Sequence, residues 1–295
     1  MTLRIGRVLS DGISLARSRN GAVLAVLFFL VESLGLLLVL GVGTTYVPVD
    51  VGTGVAPGSE VAVGSELPAL TAAAASTLAG VFTSILSVPL SIVAIRTFVG
   101  GRTESIPDDY LFDRIGRATL SGIVASFLQA AIVFAVVFGG GIVLIFALFA
   151  VGSLGLPSPV SIGALLLSGI LVVLVGLVLL LTVAVHFVFL LHEIGVRDRG
   201  VVGAFRGSWE TVRGSRLRLT GLIVVLAGVR GGISTLATPS VQGSVTTLQM
   251  VLTPVGLVLA SAIGVVVTAV FARTYRELRP DVSTDFAAAS VDDGR

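Results

Sequence analysis

Cysteine is absent from this 295-residue chain, and so is lysine; histidine occurs twice and tryptophan once. Without cysteine there is no disulfide, no thiol nucleophile and no thiolate metal ligand. Two histidines are too few for a His-rich metal site, and a phosphate-binding loop of the kind that needs its Lys cannot form. Charge is scarce too. Charged residues make up 12% of the chain, where soluble domains carry about a quarter. No metal or cofactor is implied by what remains.

What is present is apolar. Hydrophobic residues account for 55% of the sequence, the mean hydropathy is +1.06, and the apolar residues fall in long blocks between short charged stretches. That is the pattern of a membrane protein. The sequence pI of 9.6 does not point to nucleic acid, because the net charge is only +2 and the arginines are spread over several short loops. Basic loops beside membrane helices set topology and meet anionic lipid.

A helix needs roughly 20 mostly apolar residues to cross a bilayer. Six segments qualify: Gly21–Gly41, Leu70–Val99, Thr119–Val151, Ser161–Leu191, Leu219–Leu236 and Leu248–Phe271. The expected fold is therefore an all-α polytopic bundle over residues 1–279, followed by a disordered tail at 280–295. The third and fourth segments are longer than a span requires, which predicts tilt, an interfacial extension or a break. Gly139-Gly140-Gly141 is the expected weak point of the third. Pro89 and Pro254 should kink the second and sixth, since each removes a backbone donor. The first segment is too long for the apolar stretch of a secretory signal and lacks a convincing cleavage site.

Arginine sets the orientation. Arg4, Arg7, Arg17 and Arg19 precede the first segment; Arg96, Arg102, Arg114 and Arg117 lie at or between the facing ends of the second and third. Six more, from Arg197 to Arg218, lie between the fourth and fifth, and Arg273, Arg276, Arg279 and Arg295 follow the sixth. The three intervening loops hold none. By the positive-inside rule the Arg-bearing stretches are cytoplasmic, which puts both termini inside. The first external loop, Val42–Ala69, carries only the acids Asp50, Glu60 and Glu66.

Each outward-going segment follows a short amphipathic stretch. Ile5, Leu9 and Ile13 recur before the first. Leu111, Ile115 and Ala118 do so before the third, where Ser105 to Asp109 reads as a helix start. Before the fifth, Val201, Phe205, Trp209 and Val212 share one face, opposite Arg206, Glu210 and Arg213. Such helices lie in the membrane interface, with Trp at headgroup depth, or pack as linkers on the end of the bundle. The second and sixth segments end alike, in Arg96-Thr97-Phe98 with Arg102 and in Arg273-Thr274-Tyr275 with Arg279. The pattern suggests three copies of an interfacial helix plus hairpin, and repeats often place a site at their interface.

The stretch Ala204-Phe205-Arg206-Gly207-Ser208-Trp209-Glu210-Thr211-Val212-Arg213-Gly214 resembles a segment of uncharacterised six-helix membrane proteins of haloarchaea. Those are similar in turn to the membrane domain attached to some bacterial glycerophosphodiester phosphodiesterases. The resemblance implies a membrane module in an archaeal plasma membrane. The phosphodiesterase chemistry of that family belongs to a separate barrel domain with no counterpart in this sequence, so no catalytic residue is carried over.

Four polar side chains fall inside the apolar segments: Glu32, Gln129, His186 and Arg230. Charge at mid-bilayer costs roughly 2.5–3.5 kcal/mol on insertion scales and marks a candidate functional position. Glu32 and Arg230 lie at similar depth in two outward-running segments, so they are expected to pair, as a helix–helix clamp or in a substrate or proton role. Gly228 and Gly232 flank Arg230 at a spacing that admits a close neighbour. His186 and Gln129 read as buried hydrogen-bonding groups. Trp209, Phe205, Arg206 and Arg213 are the interfacial candidates.

Two further partial motifs fail. His192-Glu193 begins like a zincin helix without the second His. Asp11-Gly12 opens like a CDP-alcohol phosphotransferase motif, but its Ala-Arg is one residue late and the downstream aspartates are missing. No serine has the context of an intramembrane nucleophile. With no catalytic constellation, the favoured reading is a non-enzymatic membrane module for scaffolding, anchoring, or interaction with lipids or other membrane proteins. The alternative is a subunit of a transporter or permease. Oligomeric state is not legible.

Overall fold

The computed structural model describes residues 4–46, 67–153, 158–237 and 247–282. Among them are ten α-helices and no strand: α1 (Ile5–Ala16), α2 (Arg19–Tyr46), α3 (Leu67–Val99), α4 (Asp108–Phe112), α5 (Ile115–Ser153), α6 (Ser158–Phe187), α7 (Leu190–Arg197), α8 (Val201–Val212), α9 (Arg216–Ala237) and α10 (Thr247–Leu278). The fold is an all-α helical bundle. Five stretches are long and apolar enough to cross a membrane: Arg19–Leu38, Thr77–Val99, Ile115–Ser153, Ile162–Arg197 and Leu252–Leu278. The protein is membrane-embedded.

The expected span at Leu219–Leu236 is a helix, α9, but it is not among those five. It carries Arg216, Arg218 and Arg230, and only 11 residues separate the last two. At 1.5 Å per residue that apolar run covers about 17 Å, well short of a 30 Å hydrocarbon layer.

Helices adjacent in sequence pair as hairpins, α2 with α3, α5 with α6 and α9 with α10, and α10 also packs on α1, α2 and α3. Small residues allow the closest approaches. A Cβ on Gly12 of α1 would lie 2.8 Å from Val270 Cα on α10, and one on Gly122 of α5 would lie 2.8 Å from a Val88 methyl on α3. The well-packed core gathers at the arginine-bearing end. There Phe98, Phe189 and Tyr275 are fully buried together with Val8, Leu15, Leu24, Leu219, Ala269 and Val270. Away from that end, α5 and α6 expose Phe134, Phe138, Phe146, Phe149, Leu166 and Leu171. Apolar side chains facing outward on a hairpin of this hydropathy belong in lipid.

Several expectations need correcting. Gly139-Gly140-Gly141 does not break α5, which runs unbroken for 39 residues; helix on both sides carries the backbone through where no side chain competes. The break falls instead between α6 and α7, at Val188-Phe189. Ser208 of α8 caps it from both sides: its hydroxyl donates to the His186 carbonyl at 2.7 Å and accepts from the Phe189 N–H at 3.3 Å. As expected, Pro89 and Pro254 lie inside helices, α3 and α10.

The docked faces of the amphipathic helices match the expected stripes in part: Val212 is buried, and Ile5, Leu9, Val201 and Phe205 pack against the core, but the most buried residues lie beside them. On α1 the buried residues are Val8, Gly12 and Leu15, while Ile13 is exposed. On α8 they are Ala204, Gly207, Ser208, Thr211 and Val212, rotated from the Val201–Phe205–Trp209 stripe because the small residues make the contact. The short α4 buries nothing. At the other end of the chain Pro280–Val282 is helical, with Val282 buried and Asp281 ion-paired to Arg197. The expected tail therefore starts docked, and its remainder, 283–295, lies outside the described residues. So does most of the first external loop, with Asp50, Glu60 and Glu66.

Candidate functional site

Where α7, α8 and α10 meet at the arginine-bearing end, the carboxylate of Glu193 is sealed from solvent. Burying a charge is costly unless it is paired and hydrogen-bonded, and this one is both. The Tyr275 hydroxyl of α10 and the Thr211 hydroxyl of α8 each lie 3.1 Å from Oε1 and can donate to it. Two guanidiniums flank it, Arg199 at 3.3 Å from Oε2 and Arg279 at 3.6 Å from Oε1. Arg279 also donates through Nε to Thr211 at 2.8 Å. Gly207 makes room: a Cβ there would collide with both Arg199 and the Glu193 carboxylate. His192 lies beside this hub, buried between Phe189 and Tyr275 at ring-centroid distances of 5.4 and 5.3 Å.

A second anchor joins α3 to the loops around α4 and α7. Arg96 is buried and donates to three carbonyls: Gly195 at 2.8 Å, Asp113 at 2.9 Å and Tyr110 at 3.3 Å. Nearby, Arg114 and Asp198 pair at 2.9 Å. Both residues have left-handed backbones, with φ of 48° and 49°, so the ion pair joins two unfavourable turns. The Asp198 carboxylate raises the Arg114 guanidinium above its ordinary pKa by hydrogen bond and by charge. Asn20 at the start of α2 completes the set, its N–H donating to the Thr103 carbonyl and its amide to that of Arg102.

The two charged residues expected to pair inside the bundle do not. Glu32 finds Ser261 of α10, whose hydroxyl donates to its carboxylate at 2.6 Å. The anticipated Glu32–Arg230 pair is absent, because α10 packs against both α2 and α9 and supplies the partner itself. Arg230 is exposed on α9, and among the described residues nothing pairs with it. The Gln129 side chain is half-buried and has no hydrogen-bond partner among the described residues. His186 is buried as expected, with Nδ1 2.7 Å from the Thr182 carbonyl.

The interfacial candidates divide. Trp209 lies over the His186 ring at 3.9 Å between centroids, with the Arg216 guanidinium 5.8 Å from its own ring, inside cation–π range. Phe205 meets Phe187 edge-on at 4.8 Å. Arg206 and Arg213 are exposed.

The similar endings of α3 and α10 keep their likeness in three dimensions. Thr97 and Thr274 each donate 2.8 Å back to the carbonyl four residues earlier, and Phe98 and Tyr275 are both fully buried. The arginines differ: Arg96 is bound on three sides, whereas the buried Nε of Arg273 has no partner. Among the described residues no group of three or more His, Cys, Asp or Glu is placed to hold a metal.

One family model, described as a domain of unknown function (DUF7847), matches residues 3–278. No curated protein matches the chain, and no solved structure does.

Proposed function

We propose that the chain, which belongs to the family DUF7847, acts as a non-enzymatic membrane module, with six spans and both termini in the cytoplasm of a plasma membrane. The resemblance of the Ala204–Gly214 stretch to haloarchaeal proteins and to the membrane domain of glycerophosphodiester phosphodiesterases supports the same reading. A module of this kind holds lipids or other membrane proteins at its cytoplasmic face and along its apolar hairpins.

The observation that carries the proposal is the state of the buried charge. Glu193 and Arg96 are occupied in joining helix ends, the carboxylate by four side chains and the guanidinium by three carbonyls. Groups held in this way join helix ends into a scaffold; the Oε1 of Glu193 takes the hydrogen bonds, and Oε2 is met by the Arg199 charge alone. The convergence of helix ends supports six spans. α9 begins in the same packed end where α10 finishes, with Leu219 and Tyr275 in one cluster. A crossing α10 then needs α9, or the linker after it, to reach the opposite side first.

One observation favours the alternative, a transporter or permease subunit: Arg230 is exposed, and unpaired among the described residues, about 21 Å along α9. The two readings part on water. Because the native chain has no cysteine, Arg230→Cys can be treated with a membrane-impermeant maleimide in sealed vesicles of both orientations. The module predicts no labelling, since position 230 then faces hydrocarbon. Labelling from either side would overturn the module in favour of a water-lined path.

A further inference from the structure

Three arginines at the arginine-bearing end take no part in the anchors described above. Arg7 on α1 and Arg273 and Arg276 on α10 line one cavity of about 290 Å³, together with Val8, Asp11 and Glu277. Their convergence follows from helix geometry. Arg273 and Arg276 are three residues apart and so share a face of α10. The close approach of Gly12 to Val270 then lays α1 along that face, with Arg7 toward it.

Neither carboxylate forms a contact ion pair with them, although Asp11 attracts Arg273 through space. Among the described residues, none of the three arginines forms an ion pair or a side-chain hydrogen bond, and the buried Nε of Arg273 has no partner. Glu277 is engaged elsewhere, accepting the Arg4 N–H at 3.5 Å. Arg96, at the matching position of α3, shows what a satisfied arginine looks like in this fold, with three carbonyls around it. Arg273 occupies the same place in its own helix end and has space where Arg96 has acceptors.

We propose that Arg7, Arg273 and Arg276 bind the phosphate of an anionic lipid headgroup. Guanidinium groups present planar pairs of donors that match phosphate oxygens, and basic pockets between helices on the cytoplasmic side suit such headgroups. The location agrees. The cavity lies beside the last two turns of the apolar stretch Leu252–Leu278, and α1 docks its apolar face there while presenting arginine to the rim. The phosphate would add charge-assisted bonds between α1 and α10 to the Gly12–Val270 contact and the apolar packing of Val8 and Leu15. The inference deepens the module reading by naming a ligand class, and it rests on that reading only for the depth of the site.

Native mass spectrometry of the full chain in mild detergent tests it, with phosphatidylglycerol, phosphatidylcholine or inorganic phosphate added separately. The wild type should retain phosphatidylglycerol in preference to phosphatidylcholine. Arg273→Gln/Arg276→Gln should weaken that retention about tenfold, the scale of losing charge-assisted hydrogen bonds. Arg206→Gln, on an exposed arginine of α8, should leave it unchanged. The single variant Arg7→Gln gives a second reading if the double variant folds poorly.

If inorganic phosphate alone binds with the same arginine dependence and displaces the lipid, the phosphate site stands and its source is soluble. Equal retention of phosphatidylcholine, or retention indifferent to the arginine substitutions, would overturn the proposal. Labelling at position 230 leaves this outcome untouched, so the two ideas fail separately.

Discussion

At the residue scale the protein is organised by one carboxylate. Glu193 is reached by Thr211, Tyr275, Arg199 and Arg279, so its removal strands two guanidiniums in a packed helix junction. Glu193→Gln should lower unfolding free energy by about 3 kcal/mol, the low end for breaking a buried pair because both arginines keep some solvent. Thr211→Ala should cost only about 1 kcal/mol, the worth of an ordinary hydrogen bond. Thermal unfolding in detergent compares them, and equal losses would contradict a charge-centred hub. Gly207→Val makes the same point through sterics, since its side chain would displace Arg199 and Glu193; its midpoint should fall at least as far as that of Glu193→Gln.

Little of this hub was legible in the sequence. Glu193 stood out there only beside His192, as an unfinished zinc motif. Its partners lie 18 and 82 residues away for Thr211 and Tyr275, and pairings at that separation leave no periodicity. The signal that did exist was the repeated Arg-Thr-aromatic ending of α3 and α10, which marks two buried aromatics and two matching threonine bonds. Glu32 was recognisable as costly, yet its partner was misjudged, because equal depth says nothing about which helix stands between.

Among elements, the helix breaks and docked faces are decided by small residues. Ser208 satisfies both sides of the α6–α7 break, so Ser208→Ala leaves a buried N–H and a carbonyl unpaired. The expected loss is about 1–3 kcal/mol, with Ser208→Thr retaining most of the stability if its methyl is accommodated. Gly12→Val should undock α1 from α10 and speed proteolysis within residues 5–16. Protection equal to wild type would contradict the close contact at Val270. Hydrophobic spacing located α1 and α8 but misplaced their faces by about one position. That reading weighs large apolar residues, while the contacts are made through Gly12, Ala204, Gly207 and Ser208, where backbones come closest.

For the whole molecule, apolar length and arginine placement made the helical bundle readable before any packing was known, since both arise from the bilayer and need no tertiary detail. The arginine-bearing segments do converge: Asn20 bonds to the loop after α3, Arg114 pairs with Asp198, and Tyr275 meets Glu193. The difficult element is α9, whose three arginines shorten its apolar run to a length that a bilayer must thin to accept or that arginine side chains must extend by reaching for headgroups. Six crossings with both ends inside follow only if α9 is traversed.

Impermeant-maleimide labelling of single cysteines in intact cells tests that most directly, using Gly58→Cys before α3, Glu104→Cys after it and Ser283→Cys after α10. The account predicts that Gly58→Cys labels at once, whereas Glu104→Cys and Ser283→Cys label only after the cells are permeabilised. Labelling of Ser283→Cys in intact cells while Glu104→Cys stays protected would contradict it, placing the two ends of the bundle on opposite sides of the membrane.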